Sequence, residues 1–138
     1  MKTLYTANAS ATGGRDGFAS TDDKNIDLKI VRPGTAGGTN PEQLFAVGYA
    51  ACFGGATQYL AQQQKLEVGP IEVKSQVALN QDDNGFFISV VLDVQLPALD
   101  FAAASTLVKA AHQFCPYSKA TRGNIDVKLQ VNGQPIEH

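Results

Sequence analysis

Asn40-Pro41-Glu42-Gln43-Leu44-Phe45-Ala46-Val47-Gly48-Tyr49-Ala50-Ala51-Cys52-Phe53-Gly54-Gly55-Ala56 opens a stretch that carries no charge from Gln43 to Gln64. The Asn40 side chain can accept hydrogen bonds from the first free N–H groups of a helix. Pro41 suits the first helical position, and Gln43 can complete a capping box. A helix is therefore expected from Asn40 to about Lys65. Its apolar part, Leu44 to Ala56, is too short to cross a bilayer and is interrupted by Gly48, Gly54 and Gly55. Gln58, Gln62, Gln63 and Gln64 follow, so the segment reads as a buried core helix.

Downstream, Ile71 to Leu79 and Phe86 to Leu96 alternate as strands do, and Asp83-Asn84-Gly85 between them is a hairpin signal. Asp100 caps a second helix expected to reach about Phe114. Pro116 lacks an N–H and restricts the residue before it, which places Cys115 at a helix junction. A last strand is expected over Ile125 to Val131. Upstream, Lys2 to Ser10 has strand-like alternation, Ala11 to Gly17 is a loop, and short strands follow near Phe18 and at Ile26 to Ile30. Pro33 and three glycines mark Arg32 to Thr39 as a loop. The order of strands, long helix, hairpin, helix and strand predicts an α+β fold, largely antiparallel sheet covering a buried helix, without regular βαβ alternation.

The 138 residues suit one domain, 1–138, with a single core. The chain is 43% apolar and 17% charged, with a net charge of −2 and its lysines and arginines scattered. That composition argues against a nucleic-acid partner. The N-terminus lacks the apolar run of a signal peptide, so a cytoplasmic protein without a membrane partner is expected. In such a compartment a structural disulfide is disfavoured. The spacing of Cys52 and Cys115 matches neither a Cys-x-x-Cys motif nor a zinc pattern. Two unrelated buried thiols and a working pair both remain open.

Gly48, Cys52 and Gly55 make a narrow small-residue face that permits close helix packing, with Phe45, Tyr49, Phe53 and Tyr59 as aromatic bulk nearby. Burial raises a thiol's pKa, so a reactive Cys52 needs a cation. Arg15, Arg32 and Arg122 are the candidates. Glu42 suits the first helical turn electrostatically and could also orient Arg15. Ten residues, about 15 Å of helix, separate it from Cys52. It could act there through an intervening arginine or from the antiparallel helix of a second subunit, and the small-residue face favours the second subunit. His112, three residues before Cys115, lacks further metal ligands and reads as structural. His138 reads as a disordered end. Thr35 to Thr39 reads as a helix-entry turn, since it lacks the Lys-Ser/Thr of a phosphate loop.

Two long motifs then resemble a known family. Thr39 to Ala46, continuing through Gly48-Tyr49-Ala50-Ala51-Cys52-Phe53, is similar to the first cysteine motif of the organic hydroperoxide resistance proteins (Ohr) within the OsmC/Ohr family. Cys115-Pro116-Tyr117-Ser118 with Ala120-Thr121-Arg122-Gly123-Asn124-Ile125 resembles the second, and Gly13-Gly14-Arg15-Asp16-Gly17 the arginine loop. Lys119 departs from the asparagine common at its position. The resemblance implies an intertwined homodimer and a peroxidatic Cys52 whose thiolate is stabilised by Arg15, itself held by Glu42. It further implies a resolving Cys115, reduction by dihydrolipoyl groups, alkyl and fatty-acid hydroperoxide substrates, and neither metal nor organic cofactor. Phe45, Phe53 and Tyr117 are expected to contact the alkyl tail. The rival readings are an OsmC-type peroxidase with broader substrates and a non-enzymatic redox sensor or apolar-ligand binder.

Overall fold

The computed structural model describes Met1–His138, which divides into two compact units, Met1–Leu44 and Phe45–His138. The first unit holds a three-stranded antiparallel sheet of β1 (Ala9–Thr12), β2 (Gly17–Thr21) and β3 (Asp27–Ile30), in that order. The β1–β2 turn is made for glycine. Gly13 sits at φ 84°, and a Cβ on Gly17 would lie 1.9 Å from the Thr12 carbonyl oxygen. The expected strand at Lys2 to Ser10 is corrected to β1. Alternation alone cannot make a strand without a neighbour to bond, and β2 offers partners only to Ala9–Thr12. Met1, Leu4 and Tyr5 stand exposed.

After β3 the chain returns beside it, Thr39 pairing in parallel with Ile30, and this return delivers Asn40 as a helix cap. The Gln43 N–H donates to Asn40 Oδ1 at 2.9 Å. The other half of the capping box takes a different form: Gln43 Oε1 accepts from the Thr39 hydroxyl at 2.7 Å. Helix α1 spans Pro41–Gln63.

In the second unit α1 buries Tyr49, Phe53, Ala56, Thr57 and Ala61, one stripe at helical spacing, and leaves Val47, Ala51, Gly55 and Tyr59 exposed on another. A four-stranded sheet follows, in the order β4 (Glu72–Asp82), β5 (Gly85–Gln95), β6 (Val127–Val131) and β7 (Gln134–Ile136). β4 and β5 form the expected hairpin. β5 and β6 run parallel, joined by α2 (Phe101–Phe114) and α3 (Pro116–Thr121), so one βαβ crossover sits in a mostly antiparallel α+β fold. Asp100 caps α2 through the Ala103 N–H at 2.8 Å.

The expected last strand starts two residues late, at Val127, and a further strand follows it. Asn132 (φ 48°) and Gly133 (φ 82°) both take left-handed backbone, the geometry of a tight Asn-Gly hairpin, and turn β6 back into β7. Alternate residues of β5 (Val90, Leu92, Val94) join Leu129 and Val131 of β6, Leu107 and Val108 of α2, and Tyr49 and Phe53 of α1 in one core. Burying side chains of this size stabilises the unit by roughly 1.5–3 kcal/mol apiece before the entropy of ordering them is subtracted.

Candidate active site

Cys115 lies where α2 ends and α3 begins. Its backbone is extended (φ −66°, ψ 127°), its N–H closes α2 on the Ala111 carbonyl at 2.8 Å, and its carbonyl accepts from the Lys119 N–H at 3.0 Å. Pro116 forces this corner, since it has no N–H to continue the ladder. The Cys115 side chain makes no capping bond. Its thiol points instead at α1 and donates to Cys52 Sγ across 3.3 Å. Cys115 is fully buried and Cys52 partly exposed. Both are free thiols, and closing a disulfide of roughly 2 Å between them would take only a short movement.

Burial pushes the Cys52 thiol above its ordinary pKa, and the adjacent Cys115 thiol pushes the same way. The backbone N–H of Tyr117 in the first turn of α3 acts oppositely, by bonding the sulfur. Gly48 lets α3 come this close. A Cβ there would lie 2.8 Å from the Tyr117 hydroxyl, so the small-residue face of α1 seats α3 of its own chain, while Gly55 faces open space.

In the first unit Arg15 grips Glu42 with both arms, Nη1 to Oε2 at 2.9 Å and Nη2 to Oε1 at 2.6 Å. The guanidinium holds the Glu42 carboxyl below its ordinary range. Arg15 is about half exposed, with side-chain exposure of 48%. Two of its five N–H donors are used, which leaves the others available to an anion. Of the two routes open to Glu42, the pairing with an arginine is formed within one chain. Arg122 is engaged elsewhere, donating to the His112 carbonyl at 2.6 Å.

A cavity of about 590 Å³ opens beside the Cys115 corner, lined by Phe45, Ile88, Pro116, Tyr117, Ala120, Thr121, Asn124 and Ile125. Phe45 and Tyr117 thus share a wall, their rings 6.0 Å apart. Phe53 does not line the cavity. It is fully buried, with its ring 6.4 Å from those of Tyr49 and His112, so its expected contact with substrate is corrected to core packing.

His138, expected to be disordered, packs its ring 5.0 Å from that of His112. His112 itself is buried and bonds Ser118 through Nδ1 at 2.8 Å. No group of three His, Cys, Asp or Glu side chains is arranged to hold a metal ion. The sequence reading missed Ser118 and Thr121, which share the Tyr49 hydroxyl. The available signal was polar groups spaced three apart around Cys115.

Residues 34–130 match the family described as OsmC-like protein. The chain belongs to the OsmC family. Within the OsmC family it is 54% identical over 134 residues to an organic hydroperoxide resistance protein of Xanthomonas axonopodis pv. citri, covering 93% of this chain and 94% of that one. It is 52% identical over 134 residues to the organic hydroperoxide resistance protein OhrB of Bacillus subtilis, covering 93% and 98%. The crystal structure of OhrB superimposes with a TM-score of 0.88 over 94% of this chain and 99% of that one. The OsmC/Ohr assignment drawn from the two cysteine motifs therefore stands. No helix is long and apolar enough to cross a membrane.

Proposed function

We propose that this chain is a cysteine-based peroxidase that reduces organic hydroperoxides, alkyl and fatty-acyl, to alcohols in the cytoplasm. The observation that carries the reading is the pair of thiols 3.3 Å apart beside a largely apolar cavity. A hydrocarbon tail gains free energy by leaving water for such a cavity, at roughly 0.8 kcal/mol per CH₂ buried, whereas hydrogen peroxide has no tail to bury.

The Cys52 thiolate attacks the terminal peroxide oxygen. An S–O bond forms, the O–O bond breaks, and the alkoxide leaves with a proton as the alcohol. The Cys115 thiol then attacks the sulfenic sulfur, the S–S bond forms, and hydroxide departs as water with the thiol's proton. The disulfide is returned to two thiols by two electrons from a dithiol of the dihydrolipoyl type. Because burial favours the neutral thiol, the first step needs positive charge. Arg15, kept ionised and oriented by Glu42, is assigned that role. Phe45 and Tyr117 are assigned to the tail. A second copy of the chain is assigned to the exposed α1 stripe of Val47, Ala51, Gly55 and Tyr59, which is free of charge and includes two residues small enough for close helix packing.

The test is a single turnover of reduced protein with tert-butyl hydroperoxide, followed by mass spectrometry. Wild type ends as the disulfide, Cys115→Ser accumulates oxidised Cys52, and Cys52→Ser is inert. A Cys52→Ser protein that consumes peroxide at the wild-type rate would remove the reading. Sustained turnover with a dithiol separates an enzyme from a one-time sensor, and comparison with hydrogen peroxide separates it from a broader OsmC-type peroxidase.

A further inference from the structure

Four polar side chains that this chemistry leaves unused meet in the core of the second unit. Ser118 Oγ lies 2.8 Å from His112 Nδ1 and 2.8 Å from the Tyr49 hydroxyl, which is itself 3.2 Å from Thr121 Oγ1. Tyr49 and Ser118 are fully buried, and His112 and Thr121 are each 5% exposed. The imidazole is held neutral by its burial, so Nδ1 can accept from the serine.

The spacing matters as much as the bonds. Tyr49 is one turn before Cys52 on α1, His112 is one turn before Cys115 on α2, and Ser118 is one turn after Cys115 on α3. Pro116 interrupts the backbone ladder between α2 and α3, and the His112–Ser118 bond spans that interruption. The Ser118–Tyr49 bond then ties the same corner to the helix that carries the other sulfur. Apolar side chains could also fill this space, but their contacts are not directional. A buried hydrogen-bonded set admits one register, because any slip leaves hydroxyls unpaired at about 1–3 kcal/mol each.

We propose that Ser118, with Tyr49 and His112, is the positioning device that keeps Cys115 Sγ in register with Cys52, and that it governs the resolving step and not the attack on peroxide. The inference rests on the peroxidase reading above. Resolution competes with a second peroxide molecule, which adds another oxygen to the sulfenic sulfur, gives sulfinic acid and releases a second alcohol. The positioning device therefore sets how much peroxide the protein survives.

The experiment mixes reduced wild type, Ser118→Ala, Tyr49→Phe and the two cysteine variants with tert-butyl hydroperoxide, from stoichiometric to large excess. Stopped-flow follows the first equivalent, and mass spectrometry divides Cys52 between disulfide and sulfinic acid. Ser118→Ala is expected to consume the first equivalent within roughly twofold of wild type, yet to form disulfide about tenfold more slowly. The peroxide concentration for half overoxidation should fall by the same factor. Tyr49→Phe, which keeps the ring, should move the division in the same direction by about threefold. A wild-type division in Ser118→Ala, or equal slowing of both steps, overturns the proposal. If Ser118→Ala does not fold, a wild-type division in Tyr49→Phe overturns it. Failure of the peroxidase reading is seen separately, as peroxide consumption by Cys52→Ser.

Discussion

The two units hold their polar groups in opposite ways. Arg15 and Glu42 form an ion pair at the surface, the arginine half exposed on a glycine turn, linked by two short bonds and open to water and salt. The Tyr49–Ser118–His112 set is neutral, dry and packed between helices. An exposed ion pair adds little to stability, and its charge remains available to a ligand. A buried neutral set has no charge to lend but holds geometry tightly. The contrast fits the roles proposed above, reactivity for the first arrangement and order for the second.

Three measurements break or sharpen that contrast. The largest effect is expected from Arg15→Ala, which should lower kcat/KM for alkyl hydroperoxides by about 100-fold and raise the Cys52 pKa, read by thiolate absorbance, with thermal stability nearly unchanged. A large loss of melting temperature instead would make the pair a structural tie. Next comes acid. The His112 imidazole has an ordinary pKa near 6.5 and is held at about 4 by burial first, then by His138 and Arg122. Below 6.5 the unfolded chain takes the proton and the folded chain does not. This contribution is therefore fully present above that pH and is lost as pH falls towards 4, up to about 3 kcal/mol. The Glu42 carboxyl, depressed by Arg15, loses its contribution only below its ordinary 4.5, so most of the His112 window lies above it. Urea unfolding between pH 7 and 4 should show the His112 slope, and His112→Phe should flatten it. The smallest effect is Gly48→Ala, whose Cβ displaces the Tyr117 hydroxyl. It should raise KM for a bulky hydroperoxide about threefold with kcat within twofold, since the ring can give way.

Local chemistry made much of this architecture legible. Asn40 and Asp100 cap their helices through side-chain oxygens, and both bonds are present. The alternation on either side of Asp83 and Asn84 became β4 and β5. Asn132-Gly133 carried an equally local signal for β7 that the reading passed over. What stayed hidden depends on distant partners. Lys2 to Ser10 alternates but has a neighbouring strand only at its end. The β5–β6 pairing is parallel because two helices intervene, which alternation cannot reveal. Phe53 and Phe45 look alike in sequence, and only packing sends one into the core and the other to the cavity wall. The Tyr49–Ser118 bond joins positions 69 apart, beyond the reach of any helical or strand period.

The meeting of two sulfurs 63 positions apart has a thermodynamic consequence. Folding has already brought them together, so joining them orders almost nothing more in the native chain while removing much freedom from the denatured one. In the chain-entropy picture a closed loop of that length is worth about 4 kcal/mol. In the proposed cycle the oxidised molecule is thus the sturdier form, and each reduction returns the chain to its more easily melted state.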